Sequence, residues 1–133
     1  MEAVIFEQAG KPEEVLAVSD ISSPAPERGQ VLIRVTSRTI QPADFLFIEG
    51  RYRIKPEFPQ AAGLEGVGTI VECGPEVTDL APGIRVAFRS PGAWAELAVA
   101  PAARVYPVPT GIPDSIACQF ALNPLTAWGL LAG

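Results

Sequence analysis

Histidine is absent from all 133 residues. That excludes a His-based catalytic triad and removes one of the two usual ligand types of a tetrahedral zinc site. The other type is nearly missing too, since the two cysteines, Cys73 and Cys118, lie far apart with no Cys-x-x-Cys spacing. Free thiols and no metal are the expectation. There is no basic run either: 10 basic residues are interspersed with 15 acidic ones for a net charge of -5. Nothing in that pattern tracks a phosphate backbone, so nucleic acid is not the expected partner. No apolar run approaches the ~20 residues of a membrane span, and no membrane partner is expected. The start, Met-Glu-Ala-Val-Ile-Phe, has neither a basic n-region nor a long apolar segment. With free thiols, this predicts a cytoplasmic location.

What is present is a chain of one-domain size, 48% hydrophobic, with 14 Pro and 12 Gly spread throughout. That much punctuation divides it into short segments and predicts a compact, mainly β domain. Residues 3–6 form a short apolar strand, and residues 16–21 alternate well enough to be its hairpin partner across a turn at Gly10-Lys11-Pro12. Residues 22–29, rich in Ser and Pro, read as a loop. The clearest period of two runs over residues 30–40, where Val31, Ile33 and Val35 point one way and Leu32, Arg34 and Thr36 the other.

Residues 40–52 carry the candidate chemistry. Pro42 must stop the preceding strand, because it has no N–H for a ladder. Asp44 is then expected to cap a short helix bearing Phe45, Leu46 and Ile48, which Gly50 closes in a left-handed conformation. Tyr52 falls on the loop beyond. A phenol held there can give a proton or hydrogen bond to a substrate, and it can equally be a packing residue with a wet hydroxyl. Asp44 and Glu65 are acids beside apolar neighbours near this stretch, and structural or capping roles are expected for both.

Gly63, Gly66 and Gly68 have the look of a phosphate loop, yet no helical segment follows them. They punctuate a strand that continues through Val67, Ile70 and Val71, so a bend or the close approach of another backbone is the expected reason for them. Turns at Cys73-Gly74-Pro75 and Ala81-Pro82-Gly83 separate further short strands at residues 86–88, 94–99 and 105–106. After Pro113, Asp114 is expected to cap one or two helical turns. Asn123-Pro124 should start a second helix running through Thr126, Trp128, Leu130 and Leu131. With those apolar groups exposed, the isolated chain is expected to be cut where another domain begins.

The segments Ile40-Gln41-Pro42-Ala43-Asp44, Glu49-Gly50-Arg51-Tyr52, Phe58-Pro59, Gly63-Leu64-Glu65-Gly66-Val67-Gly68, Gly83-Ile84-Arg85-Val86, Gly92-Ala93-Trp94-Ala95-Glu96 and Asn123-Pro124-Leu125-Thr126-Ala127 together resemble the N-terminal, GroES-like domain of medium-chain dehydrogenases/reductases. The resemblance covers nearly the whole chain. Zinc-dependent members have a Cys-His pair near Gln41 and Gly-His-Glu where this chain has Gly63-Leu64-Glu65. Lacking both, the sequence is similar to the zinc-independent branch of NADPH quinone oxidoreductases and 2-enoyl thioester reductases, and most of all to the mitochondrial-type enoyl reductases.

The resemblance implies a partly open β-barrel with short helices over residues 1–122. Residues 123–133 would be the first helix leading to an absent Rossmann domain. It implies an NADPH-dependent enzyme reducing activated C=C bonds, inactive without its other half and a homodimer when complete. Tyr52 would be the catalytic phenol that protonates or polarises the substrate, an enoyl thioester or quinone. Gln41, Asn123 and Thr126 would lie along NADPH, with Gln41 one methylene longer than the Asn usual in the family. Trp94 would occupy a commonly aromatic position, as core or as substrate contact. A reading of another class also stands at this point, a free-standing GroES-like domain that binds a partner without catalysis.

Overall fold

A computed structural model describes residues 1–121. Its strands are β1 (Glu2–Phe6), β2 (Ala17–Asp20), β3 (Gln30–Arg38), β4 (Gln60–Ala61), β5 (Glu65–Cys73), β6 (Arg85–Arg89), β7 (Leu97–Pro101) and β8 (Val105–Pro107). Three short helices, α1 (Pro12–Val15), α2 (Pro42–Ile48) and α3 (Asp114–Ala117), complete the described elements together with one 3-10 turn. The strands form a five-stranded sheet in the order β7-β3-β5-β6-β8 and a three-stranded sheet in the order β2-β1-β4. Every pairing is antiparallel. The two sheets meet where Ala3 bridges Ala95 and Val4 N–H donates to the Trp94 carbonyl, curling the whole into a half-barrel.

β3 is central because its pattern demands it. Val31, Ile33 and Val35 are 0%, 0% and 8% exposed, while Arg34 and Thr36 lie in solvent. Burying each of the three contributes about 1.5–3 kcal/mol. They pack with Ile70, Val86, Phe88 and Ala98 in the larger core. A second core under α2 joins Phe6, Phe47, Ile48, Ala62 and Leu64, with Phe6 and Phe47 edge to face at 5.8 Å.

The glycines at the start of β5 do serve close approach. β3 and β5 are bulged between Val35 and Ser37, opposite Gly68 and Val67. There a Cβ on Gly68 would lie 2.0 Å from the Arg34 carbonyl oxygen. No loop is left in which to seat a phosphate.

Four boundaries differ from expectation. β1 and β2 pair as a hairpin, but the connection contains α1, because Pro12 sits in its first turn and Glu13 and Glu14 favour the positive end of a helix. In α2 the N-cap is Gln41, since Pro42 suits the first helical position; Asp44 is three residues in and accepts the Gln41 N–H at 2.7 Å. Asp114 likewise falls one residue inside α3, after Pro113 at the cap, and its carboxylate accepts from Arg85 Nε at 3.1 Å. The strand expected over residues 94–99 begins only at Leu97, because residues 94–96 cross between the sheets, bonding to β1 and to Val35. The helix end at Gly50 is as expected. Its φ is 75°, and bonds from Gly50 N–H to the Phe47 carbonyl and from Arg51 N–H to the Leu46 carbonyl make a Schellman closure. The helix expected from Asn123, with Trp128, Leu130 and Leu131, lies outside the described residues.

Candidate active site

The end of β3, the start of α2 and the facing ends of β5 and β6 converge on a buried layer of charge. Glu65 opens β5 and is Cα partner to Arg89, which closes β6. Asp44 reaches the same layer from the first turn of α2. Asp44 and Glu65 are each 1% exposed and Arg89 is 9% exposed. Taking such groups from water is costly unless they are paired and hydrogen-bonded.

The satisfaction here is incomplete. Glu65 Oε1 accepts from Thr39 Oγ1 at 3.2 Å and from Gln41 Nε2, which ties the strand end to the helix cap. Glu65 Oε2 and Asp44 Oδ1 are buried without a hydrogen-bond partner. Burial pushes both carboxyls above their ordinary values. The Gln41 N–H and the Arg89 charge oppose this at Asp44, and the Thr39 hydroxyl and Arg89 oppose it at Glu65, while the Asp44 charge adds to the rise at Glu65. The Arg89 charge therefore acts on both acids without a direct ion pair to either.

Arg89 directs its hydrogen bond elsewhere. Its Nη2 donates to the Tyr52 hydroxyl at 2.7 Å. Tyr52 is half-buried against the Phe6–Phe47 core, with the Arg53 guanidinium 5.7 Å from its ring centroid. The Schellman closure of α2 sets the loop on which the ring is carried. Since a guanidinium has no acceptor, the phenol oxygen is the acceptor in this contact and its own proton is left for another group. Among the described residues that proton meets no acceptor.

Gln41 is placed at a separate opening. A cleft of about 520 Å³ is lined by Thr39, Ile40, Gln41, Pro42, Ser115, Cys118 and Gln119. That volume falls within the ~300–1,000 Å³ of small-molecule sites. Tyr52 and Gln41 share no hydrogen bond; Gln41 bonds to Glu65 and Tyr52 to Arg89, and Glu65 and Arg89 are register partners across β5 and β6. The lining mixes the polar groups of Thr39, Gln41 and Ser115 with the apolar Ile40 and Pro42. A pyrophosphate finds no cradle at Gly63, Gly66 or Gly68, where a Cβ would strike Trp94, the Ser37 carbonyl and the Arg34 carbonyl respectively. At these glycines the backbone leaves no space for the phosphates of a dinucleotide. Asn123 and Thr126 lie outside the described residues.

Trp94 is a packing group. It lies over Gly63, touches both main cores and donates its indole N–H to the Thr39 carbonyl at 3.0 Å. Cys73 and Cys118 are free, their thiols directed to the Leu80 and Ser115 carbonyls. Asp44 and Glu65 do hold backbone and cap, as expected of them. Arg89 and Thr39 are the residues that reading the sequence misses. Arg89 ends a strand whose Val86, Ala87 and Phe88 are all buried, at a position where an arginine ordinarily marks the return to solvent, and only the pairing of β5 with β6 shows it inside.

Residues 27–110 match the alcohol dehydrogenase GroES-like domain family. The mitochondrial enoyl-[acyl-carrier-protein] reductase of Xenopus tropicalis is 31% identical over 97% of this chain. The chain spans 37% of the length of that relative. Among solved structures, a mycobacterial quinone oxidoreductase is 34% identical with a TM-score of 0.91 over 98% of this chain and 40% of its own. A mycobacterial protein solved in complex with NADPH is 34% identical with a TM-score of 0.88 over the same shares, 98% and 40%. The chain belongs to the alcohol dehydrogenase GroES-like domain family, within the zinc-independent medium-chain dehydrogenase/reductase superfamily.

Proposed function

We propose that this chain is the substrate side of an NADPH-dependent reductase of activated C=C bonds, with 2-enoyl thioesters as its substrates. The observation that carries the reading is the Tyr52 hydroxyl, which accepts from Arg89 and keeps its proton available beside a half-buried apolar surface. NADPH, when bound, supplies a hydride, which no side chain can. With that hydride taken up at the β-carbon, the substrate would still need one proton at the α-carbon; the Tyr52 O–H would donate to the thioester carbonyl oxygen as negative charge develops there and would give up its proton to complete the reduction. Gln41, with Thr39 behind it, would line the nicotinamide end, joined by Asn123 and Thr126. The rest of the cofactor would be held outside these residues.

Relatives named as enoyl reductases support the thioester, and the similar quinone oxidoreductase structure supports a second reading, reduction of quinones. Both use the same donor. Steady-state oxidation of NADPH by the full-length protein, with 2-enoyl thioesters and with quinones, separates them. Turnover on thioesters is the expected result; quinone turnover alone selects the second reading, and none on either supports a non-catalytic binding domain. We further propose a homodimer, to be checked by sedimentation of the full-length protein, and a cytoplasmic location, supported by the two free thiols and checked by fractionation.

A further inference from the structure

We infer that Arg89 is a positioning residue for the Tyr52 proton, and that its place at the buried end of the β5–β6 ladder holds it in that role. The inference rests on the reading of Tyr52 as the donor. Tyr52 lies on a loop outside any strand or helix, where a phenol free of contacts would rotate among several hydrogen-bond directions. The guanidinium removes one of them. It occupies a lone-pair direction of the phenol oxygen at 2.7 Å and, having donors only, cannot take the phenol hydrogen. The O–H is thereby turned away from Arg89 and polarised by the bond its oxygen accepts. Arg53 bounds the face of the same ring.

Arg89 is itself anchored. Its backbone sits in the β5–β6 ladder opposite Glu65, and the residue is 9% exposed. The two acids are buried with one oxygen each unpartnered, an arrangement that packing alone does not favour. Ladder and burial together leave the Arg89 cation at the phenol oxygen.

The test is a mutant cycle in the full-length protein: wild type, Tyr52→Phe, Arg89→Met and both, with kcat and KM measured on the substrate that the wild type turns over. Arg89→Met is expected to lower kcat about tenfold or more, KM changing less than about twofold, and to have no further effect once Tyr52→Phe is present. Arg89→Lys, which keeps a cation donor, is expected to restore part of the loss. The ring-carbon NMR signal of Tyr52, labelled at Cζ, should move in Arg89→Met and return toward wild type in Arg89→Lys. Equal losses in the two backgrounds, or an unmoved Tyr52 signal, would overturn the inference while leaving Tyr52 as donor. If Tyr52→Phe alone leaves turnover intact, the donor reading fails and takes the inference with it. Should Arg89→Met not fold, the same cycle in a Glu65→Gln background removes one of the charges that Arg89 balances, and the same outcomes support or overturn the inference there.

Discussion

Glu65 and Arg89 are direct register partners across the β5–β6 ladder, yet the hydrogen bonds of each run elsewhere, Glu65 to Thr39 and Gln41, Arg89 to Tyr52. The two are neighbours in register whose side chains bond outward, one toward the helix cap and one toward the loop.

Stability should therefore depend on pH in an unusual direction. Asp44 and Glu65 have folded-state values raised above 3.8 and 4.5 by burial. The native protein binds their protons more tightly than the unfolded chain does. Their favourable contribution is complete below those ordinary values and is lost as pH rises through the raised ones. Glu65→Gln should flatten this loss between acidic and neutral pH in denaturant titrations. Parallel curves for variant and wild type would show that Glu65 is not its source.

Asp114 has the opposite sign. The Arg85 guanidinium holds its carboxyl below 3.8, so the stability it gives is present above that value and is lost as pH falls through the folded one. Both side chains are about a third exposed. Screening limits the pair to about 0.2–1 kcal/mol. Arg85→Gln should lower the stability measured by denaturant titration by that amount at pH 7 and by progressively less as pH falls below 3.8.

Gly68→Ala should be the most damaging glycine substitution in β5. The added methyl would sit 2.0 Å from backbone, the Arg34 carbonyl, so β3 must move. A loss of about 1–3 kcal/mol or more is expected. At Gly83 a Cβ meets nothing within 4 Å, and only the positive φ of 94° is penalised, so Gly83→Ala should lose about 1–2 kcal/mol. Thermal melts of the two variants give the comparison.

Tyr52→Phe removes one donor and leaves the ring against Phe6 and Phe47. In the full-length protein turnover should fall about a hundredfold, roughly 3 kcal/mol. KM should change less, since the bond strengthens as charge develops. Near wild-type turnover would return Tyr52 to a packing role.

The sequence is most legible where a residue's neighbours along the chain decide its place. Val31, Ile33 and Val35 announce the buried face of β3 by alternation, and Pro42 with Gly50 bounds α2 by backbone chemistry alone. Gly66 and Gly68 can be read as sites of close approach because no helix follows them. Arg89 is illegible for the converse reason. Its partners, Glu65 and Tyr52, come to it only through strand pairing, and nothing within β6 distinguishes it from a solvated arginine. Asp44 and Glu65 stand out as acids among apolar neighbours, but the distance between them is set by how α2 folds back on β5, which no spacing encodes.

β3 lies between β5 and β7, so Gln30 must wait for Pro101 before its second neighbour exists. During synthesis the hairpin of β1 and β2 can form early, whereas Val31, Ile33 and Val35 emerge with no local partner for either edge of their strand. Sheets closed by such distant pairings assemble on the order of milliseconds to seconds, because loop closure comes before the contacts that reward it. The interval between the emergence of Arg38 and that of Pro101 is when this chain most needs shelter from other unfolded chains.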